Sequence, residues 1–551
     1  MAAPDDEPIA NEKQARDAEN SAVDRVAMAA AGLAIAFCLV NLILFRYGRD
    51  QGIYAMVADT MLKGGAPYRD AWDFKPPGIF LVYAVARLIF GASEHGVRVL
   101  EAAALGSMVW AFAILSRRWV GDAKAGIVAA ACAIGTEAQL EFWHTSQPES
   151  FGGVVLAWAL VCATYQAPQE AKDGARRQLM AWAGAGALYA SAALLKPPLG
   201  GGFVVSLVAV AWTEWRAAAV DDRLRALARP AAAFAAGGAA VMALTLSYFA
   251  AKGALPDLYD TLFVFTPMYT KLGFRGEWFW GFVYLSFEQW SIGYSAFIGV
   301  GLALFLGLPA LSARERSGAL HVFGVAGIQV IGVALQAKFF PYHYGAALPF
   351  ASMLAGWGAW KLWTRARQAS LGIAAFGAAL YLLGDARGAT RDLDETFWMR
   401  SKHRLAAVLD PSIRDATNDA LYSVADVSAG ANRRVAEWLK SHTEPDAPVF
   451  IWGFEPEIYD LARRRPATRY LYDVPQRVTW AESSRDRLMS DLERTPPVVI
   501  VVEHRDVFPA VTGNNLDSAD SLTAFPRLAS YLRQGYVLAD RIEDFDLYVR
   551  R

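Results

Sequence analysis

Long apolar runs separated by short charged connectors are the feature that most restricts how this chain can fold. Val26–Phe45 is about twenty apolar residues long, enough to cross a bilayer as a helix. Similar runs recur as far as Gly384 and predict about eleven transmembrane helices. The runs are Val26–Phe45, Val99–Leu115, Ala125–Trp143, Phe151–Tyr165, Leu179–Leu195, Leu199–Trp212, Ala231–Phe249, Ile292–Leu311, Ala319–Ala337, Gly345–Trp360 and Leu371–Gly384. The sequence therefore predicts an α-helical polytopic membrane protein.

The composition supports a membrane domain followed by a different kind of domain. Only 19% of the 551 residues are charged, whereas soluble proteins carry about 25%. After residue 384 the pattern becomes that of a globular domain. There "RRVAEWLKSH" predicts an amphipathic helix, "APVFIWG" and "PVVIVVEH" predict buried strands, and "YVLADRIEDFDLYVRR" predicts a hairpin. We therefore expect a small C-terminal α/β domain over residues 385–551.

Net charge and cysteine content exclude some classes of function. The formal net charge is −1, so nothing in the bulk charge favours a nucleic-acid partner. The three cysteines all lie within apolar runs. They are expected to be buried hydrophobic residues rather than a disulfide framework or a metal site.

The basic connectors predict the orientation of the chain. Residues 1–25 are polar and are expected to form a disordered cytoplasmic tail. Five basic connectors, "SRRWVGDAK", "EAKDGARR", "EWRAAAVDDRLRALAR", "SARERS" and "KLWTRARQ", then all fall on the cytoplasmic side, as basic loops prefer. This agreement requires the segment Pro76–Phe90 not to cross, so we expect it to be an interfacial or partly buried helix. The membrane domain, 26–384, then has a first outer loop over 46–96, and residues 385–551 lie outside.

Charged side chains collect in the connectors predicted to lie on the outer face. They are Asp50, Asp73, Lys75, His144, Glu149, Lys196, Lys338 and His343. Taken singly, each has a structural explanation: Asp50 could cap a helix, the lysines could reach toward the interface, and His343 could belong to an aromatic belt. Ionisable groups clustered at a membrane edge nevertheless indicate a functional site. The cations suit a phosphate, and the carboxylates suit a general base.

Several motifs resemble one family of membrane enzymes. "DQGIYAMVADTMLKGGAPYRDAWDFKPPGIFLVYA" resembles the first outer loop of the GT-C glycosyltransferases, and in particular the branch that contains protein O-mannosyltransferases and the aminoarabinose transferases of lipid A. "HTSQPESFGG", "KFFPYHYGAALPFASMLAG" and the C-terminal "VAEWLKSHTEPDAPVFIWGFEPEIYDLARRRPATRYLY" resemble further segments of that family. The resemblance covers most of the chain and is most specific in the first loop.

The resemblance implies roles for individual residues. Asp50 would be the general base, while Asp73 and Lys75 would lie at the donor, with Lys75 on its phosphate. The other donor-binding residues it implies are Arg46, Arg49, Lys196, Lys338, Tyr342 and His343. Asp70, His144 and Glu149 would contact the acceptor or support the site. Members of the family often have two adjacent acids after the first helix, whereas here Asp50 is followed by Gln51.

The resemblance also implies the activity: an inverting glycosyltransferase that moves a sugar from a polyprenyl-phosphate donor to a glycolipid, polysaccharide or protein of the cell envelope. It would act among membrane lipids at the outer, periplasmic face of a bacterial inner membrane. No cofactor motif is recognisable, and a divalent cation is left open. The alternative is a transporter or flippase of a lipid-linked sugar, for which inverted repeats with broken helices are expected. No such repeat is recognisable, and the acids cluster in one loop.

Overall fold

The structure is a computed structural model that describes residues 6–168, 173–274, 278–293, 311–365, 395–478, 480 and 482–551. It is mostly helical, with one small C-terminal sheet. The helices of the membrane part are Asp6–Leu44, Arg49–Leu62, Pro77–Phe90, Glu94–Trp119, Ala123–Gln139, Glu141–His144, Pro148–Ala163, Gly174–Leu195, Gly202–Ala217, Arg223–Ala251, Leu255–Tyr259, Thr266–Lys271, Phe279–Gly293, Ala313–Gln336 and Leu348–Arg365. Short 3-10 or π turns cover Pro197–Gly201, Val220–Asp222, Asp260–Phe265 and Pro341–Tyr344.

The helices establish a membrane protein but not the predicted count of eleven spans. Among the described residues, five helical stretches are long and apolar enough to cross a bilayer: Asn20–Leu44, Glu94–Trp119, Gly174–Leu195, Val220–Ala251 and Ala313–Gln336. The predicted run Leu371–Gly384 lies outside the described residues, as does most of Ile292–Leu311. The other predicted runs are helical, but several of these helices are shorter than a bilayer requires.

The amino-terminal tail differs from the prediction. The first helix begins at Asp6 and continues without a break to Leu44, so the tail is not disordered along that stretch. The segment is rich in Ala, Glu, Lys, Gln and Arg, which have high intrinsic helix propensity and can extend a helix that the apolar run has already nucleated. Polarity alone was therefore a poor predictor of disorder here.

Two helices that position the site approach each other very closely. A Cβ atom added to Gly186 would lie 2.0 Å from the carbonyl oxygen of Phe234, and one added to Gly237 would lie 1.8 Å from that of Ala183. Only glycine lets helices Gly174–Leu195 and Arg223–Ala251 pack at this distance, as small residues do between membrane helices. This packing fixes the C-terminal end of helix Gly174–Leu195, where Lys196 follows.

The helix Pro77–Phe90 has the features predicted for an interfacial segment. Its 14 residues span about 21 Å, less than the hydrocarbon core of about 30 Å. Leu88 and Ile89 are among its exposed apolar side chains. On its other side, Arg87 contacts Asp59 at 3.0 Å and Asp460 at 2.7 Å. These contacts join the helix to helix Arg49–Leu62 and to the C-terminal domain.

The C-terminal part is a small α/β domain with the predicted helix, strands and hairpin. Strands β1 (Pro448–Trp452), β2 (Arg465–Pro466), β3 (Val499–Glu503), β4 (Tyr536–Ile542) and β5 (Phe545–Arg550) form a sheet of order β2-β1-β3-β5-β4. β1 is parallel to β2 and β3, while β5 is antiparallel to both β3 and β4. The helices are Phe397–Leu409, Arg414–Leu421, Ala429–His442, Glu457–Ala462, Val474–Arg477, Glu482–Arg494, Pro509–Thr512, Ser518–Ser521 and Pro526–Gly535, with a 3-10 turn at Leu522–Ala524. The predicted domain boundary at residues 384–385 lies outside the described residues.

Buried contacts dock this domain onto the first loop. Arg49 is 3% exposed and pairs with Glu455 at 2.5 Å and with Asp426 at 2.8 Å. The backbone N–H of Trp72 donates to the carbonyl oxygen of Arg469 at 2.7 Å. These contacts bring residues of the C-terminal domain to the edge of the first loop, next to the predicted site.

A cysteine-accessibility experiment tests the predicted orientation. In a background without the three native cysteines, Arg117→Cys and Arg316→Cys should resist an impermeant thiol reagent in intact cells, while Lys63→Cys and Lys440→Cys should react. All four positions are exposed, so only the side of the membrane should decide the outcome. If Pro77–Phe90 crosses the bilayer, Arg117→Cys and Arg316→Cys should react and Lys440→Cys should not, while Lys63→Cys, which precedes the segment, should still react. Permeabilised cells, in which all four positions should react, provide the control.

Candidate functional site

A cavity of about 510 Å³ lies where the first loop, the ends of several membrane helices and the C-terminal domain meet. Nine of the residues predicted from the sequence line it: Arg49, Asp50, Asp73, Lys75, His144, Lys196, Lys338, Tyr342 and His343. Glu149 lies against it through Lys196. Residues from connectors far apart in the sequence therefore share one cavity.

Asp50 and Lys75 face each other across this cavity. The carboxylate oxygen Oδ2 of Asp50 lies 3.9 Å from Nζ of Lys75 and accepts a hydrogen bond of 3.4 Å from the side-chain amide of Gln147. Asp50 is in the first turn of helix Arg49–Leu62, and the residue at the N-cap is Gly48. Asp50 is thus not the cap of this helix, and its side chain is directed toward Lys75.

Two prolines determine the position of Lys75. Pro76 is the N-cap of the helix that begins at Pro77, as the pair of prolines predicts. The carbonyl oxygen of Lys75 accepts a hydrogen bond of 2.8 Å from the hydroxyl of Tyr68. The Lys75 ammonium lies 4.6 Å from the ring centre of Phe74. Lys75 is therefore held at the start of a helix, and the amino-terminal end of that helix adds partial positive charge.

Asp73 is buried beside Lys75 and is bound by the C-terminal domain. The Tyr472 hydroxyl donates to Oδ1 of Asp73 at 2.7 Å. Burial raises the pKa of Asp73, although Lys75 and Tyr472 act in the opposite direction. Burial alone would lower the pKa of Lys75, but the nearby carboxylates, with Asp50 the strongest, raise it overall. Lys75 is therefore a fixed positive charge at neutral pH.

Lys196 and Glu149 form a buried ion pair at the back of the cavity. Nζ of Lys196 donates to Oε1 of Glu149 at 2.5 Å, and the ammonium lies 5.3 Å from the ring centre of Tyr342. Burial lowers the pKa of Lys196 despite the Glu149 carboxylate. In the described part of the chain, Oε2 of Glu149 is buried and has no hydrogen-bond partner.

Aromatic and imidazole groups form the opposite side of the cavity. Lys338 lies 3.7 Å from the ring centre of Tyr269, and its carbonyl oxygen accepts a hydrogen bond of 2.6 Å from Nδ1 of His343. The ring of His144 stacks on Tyr342 at 5.9 Å. Burial lowers the pKa of His144 to about 3, so its imidazole is neutral at physiological pH. His144 and Tyr342 thus present a neutral ring surface that a sugar could contact.

Three predicted site residues are placed differently from the prediction. Arg49 lines the cavity, but its guanidinium is paired with Glu455 and Asp426, so it acts mainly in docking the C-terminal domain. Arg46 lies at a separate pocket beside His95 and Arg404. Asp70 pairs with Arg69 at 2.6 Å and lies at another cavity. The physical reason is that Arg49 and Asp70 are each paired with an opposite charge of the protein, while Arg46 lies at a different pocket.

The sequence did not identify several residues that shape this cavity. Gln147 contacts Asp50, Tyr472 contacts Asp73, and Tyr269 contacts Lys338. Phe454 and Phe508 add aromatic surface from the C-terminal domain. Tyr269 lies in an aromatic, proline-containing connector, which is a weak indication. Nothing local in the sequence distinguishes Tyr472 from a core tyrosine.

One side of the cavity is apolar and exposed. Met242, Phe263 and Leu335 line it and are 41%, 67% and 50% exposed. Met242 and Leu335 belong to helices long and apolar enough to cross a bilayer. The cavity therefore combines a charged interior with an exposed apolar side that is suited to contact hydrocarbon.

No metal centre is identified in the described residues. They contain no group of three or more His, Cys, Asp or Glu side chains arranged to hold a metal ion. A divalent cation therefore stays an untested prediction for this site.

Removing Glu149 should destabilise the protein by leaving Lys196 buried without its counter-ion. Breaking one partner of a buried pair typically costs about 3–5 kcal/mol, so Glu149→Gln should markedly lower the thermal midpoint of the purified protein. The double variant Glu149→Gln, Lys196→Gln should recover part of the loss because it removes both charges. Glu437→Gln, in an exposed pair with Arg433, is the control and should change stability by less than about 1 kcal/mol. Equal midpoints for Glu149→Gln and Glu437→Gln would contradict a buried pair.

Comparison with known proteins establishes the fold. No protein-family model matches the sequence, and no curated protein matches it. Among solved structures, the crystal structure of ArnT from Cupriavidus metallidurans bound to undecaprenyl phosphate aligns over 95% of this chain and 97% of its own, with a TM-score of 0.57 and 16% identity. The same protein in the apo state aligns over the same shares, with a TM-score of 0.55 and 16% identity. The similarity shows that this chain has the fold of those two structures.

Proposed function

We propose that this protein is an inverting glycosyltransferase that transfers a sugar from a polyprenyl-phosphate donor to a cell-envelope acceptor. The observation that carries the proposal is one cavity that combines buried lysines, the partly exposed carboxylate of Asp50 and an exposed apolar side. A polyprenyl phosphate needs these surroundings, because its phosphate is anionic and its chain is hydrocarbon. The fold shared with a protein crystallised with undecaprenyl phosphate supports this class of donor.

The cations determine where the donor phosphate binds. Lys75, Lys196 and Lys338 all line the cavity, and Lys75 stands at the start of a helix. A phosphate bound to Lys75 would compete with Asp50 for the ammonium, since the two side chains are only 3.9 Å apart. Donor binding would therefore release the Asp50 carboxylate to act on the acceptor.

The reaction is a single displacement at the anomeric carbon. The acceptor hydroxyl oxygen attacks this carbon on the face opposite the phosphate, and its proton passes to Asp50. The bond between the anomeric carbon and the phosphate oxygen breaks, and polyprenyl phosphate leaves with the electron pair. Proton acceptance by a positioned carboxylate contributes about 10²–10⁴-fold. Preorganised charge at the leaving group is worth about 3–4 kcal/mol for a single donor in comparable sites.

The predicted orientation places this reaction at the outer face of a bacterial inner membrane. The placement rests on the five basic connectors, which prefer the cytoplasmic side. The C-terminal domain would then lie in the periplasm, where it supplies Tyr472 and Phe454 to the cavity wall. Glycolipids, polysaccharides and proteins of the envelope are all reached from that side.

A transfer assay tests the proposal. Purified protein is incubated with a polyprenyl-phosphate sugar labelled in the sugar, together with an envelope extract, and the label is followed into product. We expect covalent transfer with release of one polyprenyl phosphate per sugar, and an anomeric configuration opposite to that of the donor. Movement of intact donor across a vesicle without transfer would instead show a flippase. Retention of configuration would contradict a single displacement.

A further inference from the structure

A second cavity, of about 910 Å³, lies between the far end of the first loop and the β2 edge of the sheet. It is lined by seven cationic and five acidic side chains. The cations are Lys63, Arg69, Arg463, Arg464, Arg465, Arg469 and Arg494, and the acids are Asp59, Asp70, Asp446, Asp460 and Asp491. No residue is shared with the lining of the first cavity. This cavity is therefore a separate feature, which the proposed reaction does not use.

Among the described residues, five of the seven cations pair with a carboxylate, whereas Arg464 and Arg465 do not. Asp491 is shared by Arg469 and Arg494, at 3.2 and 2.6 Å. Asp460 is shared by Arg463 and by Arg87, which is not part of the lining. Each of these carboxylates therefore offsets only part of the positive charge around it.

Arg464 has no carboxylate partner among the described residues, although protein oxygens accept from all of its guanidinium nitrogens. Arg464 is only 7% exposed, yet its guanidinium donates only to neutral oxygens among the described residues. Two hydrogen bonds of 2.7 Å go to the hydroxyl and the carbonyl of Thr443, and one of 3.0 Å goes to the carbonyl of Ala462. Two longer ones go to further carbonyls. Buried charges are normally paired with an opposite charge. Next to it on β2, Arg465 is exposed and forms no ion pair within the described part of the chain.

The lining indicates a hydrophilic ligand. Besides the charged groups, Thr60, Thr468 and Thr495 and the ring of Tyr459 line the cavity. Apolar residues are a minority, in contrast to the first cavity with its exposed Phe263 and Leu335. Lys63 and Arg494 have side chains that are 74% and 70% exposed, so the cavity is open to water. This lining offers little apolar surface to an acyl chain, but it offers many polar and cationic groups to a hydroxyl-rich anionic ligand.

We infer that this cavity binds an anionic saccharide, one that carries carboxylate or phosphate groups, and that this is the water-facing part of the acceptor. The anion site rests on the lining alone, while its assignment to the acceptor rests on the proposed function. Asp50 stands in the first turn of helix Arg49–Leu62, and Lys63 follows the last. The helix between Asp50 and Asp59 is about 14 Å long, a separation that an acceptor of several sugar units can cover.

Binding of defined oligosaccharides tests the inference on the full-length protein in a neutral detergent. The probe is a galacturonate tetrasaccharide, which carries a carboxylate on each sugar, and maltotetraose is the neutral control. We expect the anionic probe to bind more tightly than the neutral one, and to bind more weakly as salt is raised. Arg465→Glu should weaken its binding about tenfold or more, since bonds to charged groups are worth about 1.5–3 kcal/mol.

Arg527→Glu is the matched control, because Arg527 is on the same domain, is half exposed and does not line the cavity. It should bind the anionic probe like the parent protein. Equal affinity for galacturonate and maltotetraose, or an unchanged affinity in Arg465→Glu, would overturn the inference.

A second measurement separates a saccharide from a lipid headgroup as the ligand. The probe should bind equally well to protein in nanodiscs of phosphatidylcholine and of phosphatidylglycerol. Loss of binding only in phosphatidylglycerol would show that lipid headgroups occupy the cavity, and would overturn the saccharide assignment.

The outcome for this site is independent of the outcome for the reaction. Arg465→Glu should bind labelled polyprenyl phosphate as the parent does, since the first cavity is unchanged. If the anionic probe binds but no sugar is ever transferred, the proposed function fails while the anion site stands. If sugar is transferred and the probe does not bind, the anion site fails while the proposed function stands.

Discussion

Asp50→Asn is expected to lower the rate of sugar transfer by about 10²–10⁴-fold, the contribution of a positioned general base. The amide keeps the size of the carboxylate and can still contact Gln147, but it cannot accept the acceptor's proton. Donor affinity should persist, because the phosphate would bind to lysines rather than to Asp50. The measurement is the single-turnover rate of transfer from a labelled polyprenyl-phosphate sugar, together with equilibrium binding of the same donor.

The control for this prediction is another carboxylate that is exposed and remote from the cavity. Asp486 has a side chain that is 80% exposed, and Asp486→Asn should transfer sugar at the parental rate. If Asp50→Asn also turns over at that rate, Asp50 is not the base. Its contact with Lys75 would then serve only to hold the first loop in place.

Lys75→Ala is expected to weaken binding of both polyprenyl-phosphate sugar and free polyprenyl phosphate by about 10–100-fold. The estimate follows from about 1.5–3 kcal/mol for a hydrogen bond to a charged group. Both ligands should be affected alike, since they share the phosphate. Lys75→Arg should recover only part of the affinity, because a planar guanidinium does not replace a compact ammonium. The measurement is equilibrium binding of both ligands, in detergent, to the parent protein, Lys75→Ala and Lys75→Arg.

Lys63→Ala provides the comparison for Lys75. Lys63 is on the same loop, but it lines the second cavity and not the first. The Lys63→Ala variant should therefore bind polyprenyl phosphate like the parent protein. A Lys75→Ala variant that also keeps parental affinity would mean that the lysine before the two prolines is a structural element of the loop, and that Lys196 or Lys338 holds the phosphate.

Features that depend on neighbouring residues could be predicted from the sequence. The apolar runs predicted a helical membrane protein, and the strands Pro448–Trp452 and Val499–Glu503 were recognisable from their short β-branched runs. The two prolines after Lys75 predicted the helix that begins at Pro77. Each of these depends on composition, periodicity or a dipeptide. Most of the charged residues singled out in separate connectors also meet in one cavity, which the predicted topology and the family resemblance led us to expect.

Features that depend on distant residues could not be predicted in this way. Arg49 was interpreted as a ligand for phosphate, yet it pairs with Glu455, which is 406 residues further along the chain. Tyr472 binds Asp73 across 399 residues, and no local pattern distinguishes that tyrosine from one in the core.

The kind of protein, the two types of domain and the loop that carries Asp50 and Lys75 follow from the amino-acid sequence alone. Which charges are neutralised within the fold, and which stay available to a ligand, depends on how distant segments pack. The physical reason is that the energy of a charge depends on its burial and on its nearest counter-ion. For Arg49, the counter-ion Glu455 is supplied only when the C-terminal domain docks on the first loop. For Arg464, the neutral oxygens come from helix ends that meet within the C-terminal domain.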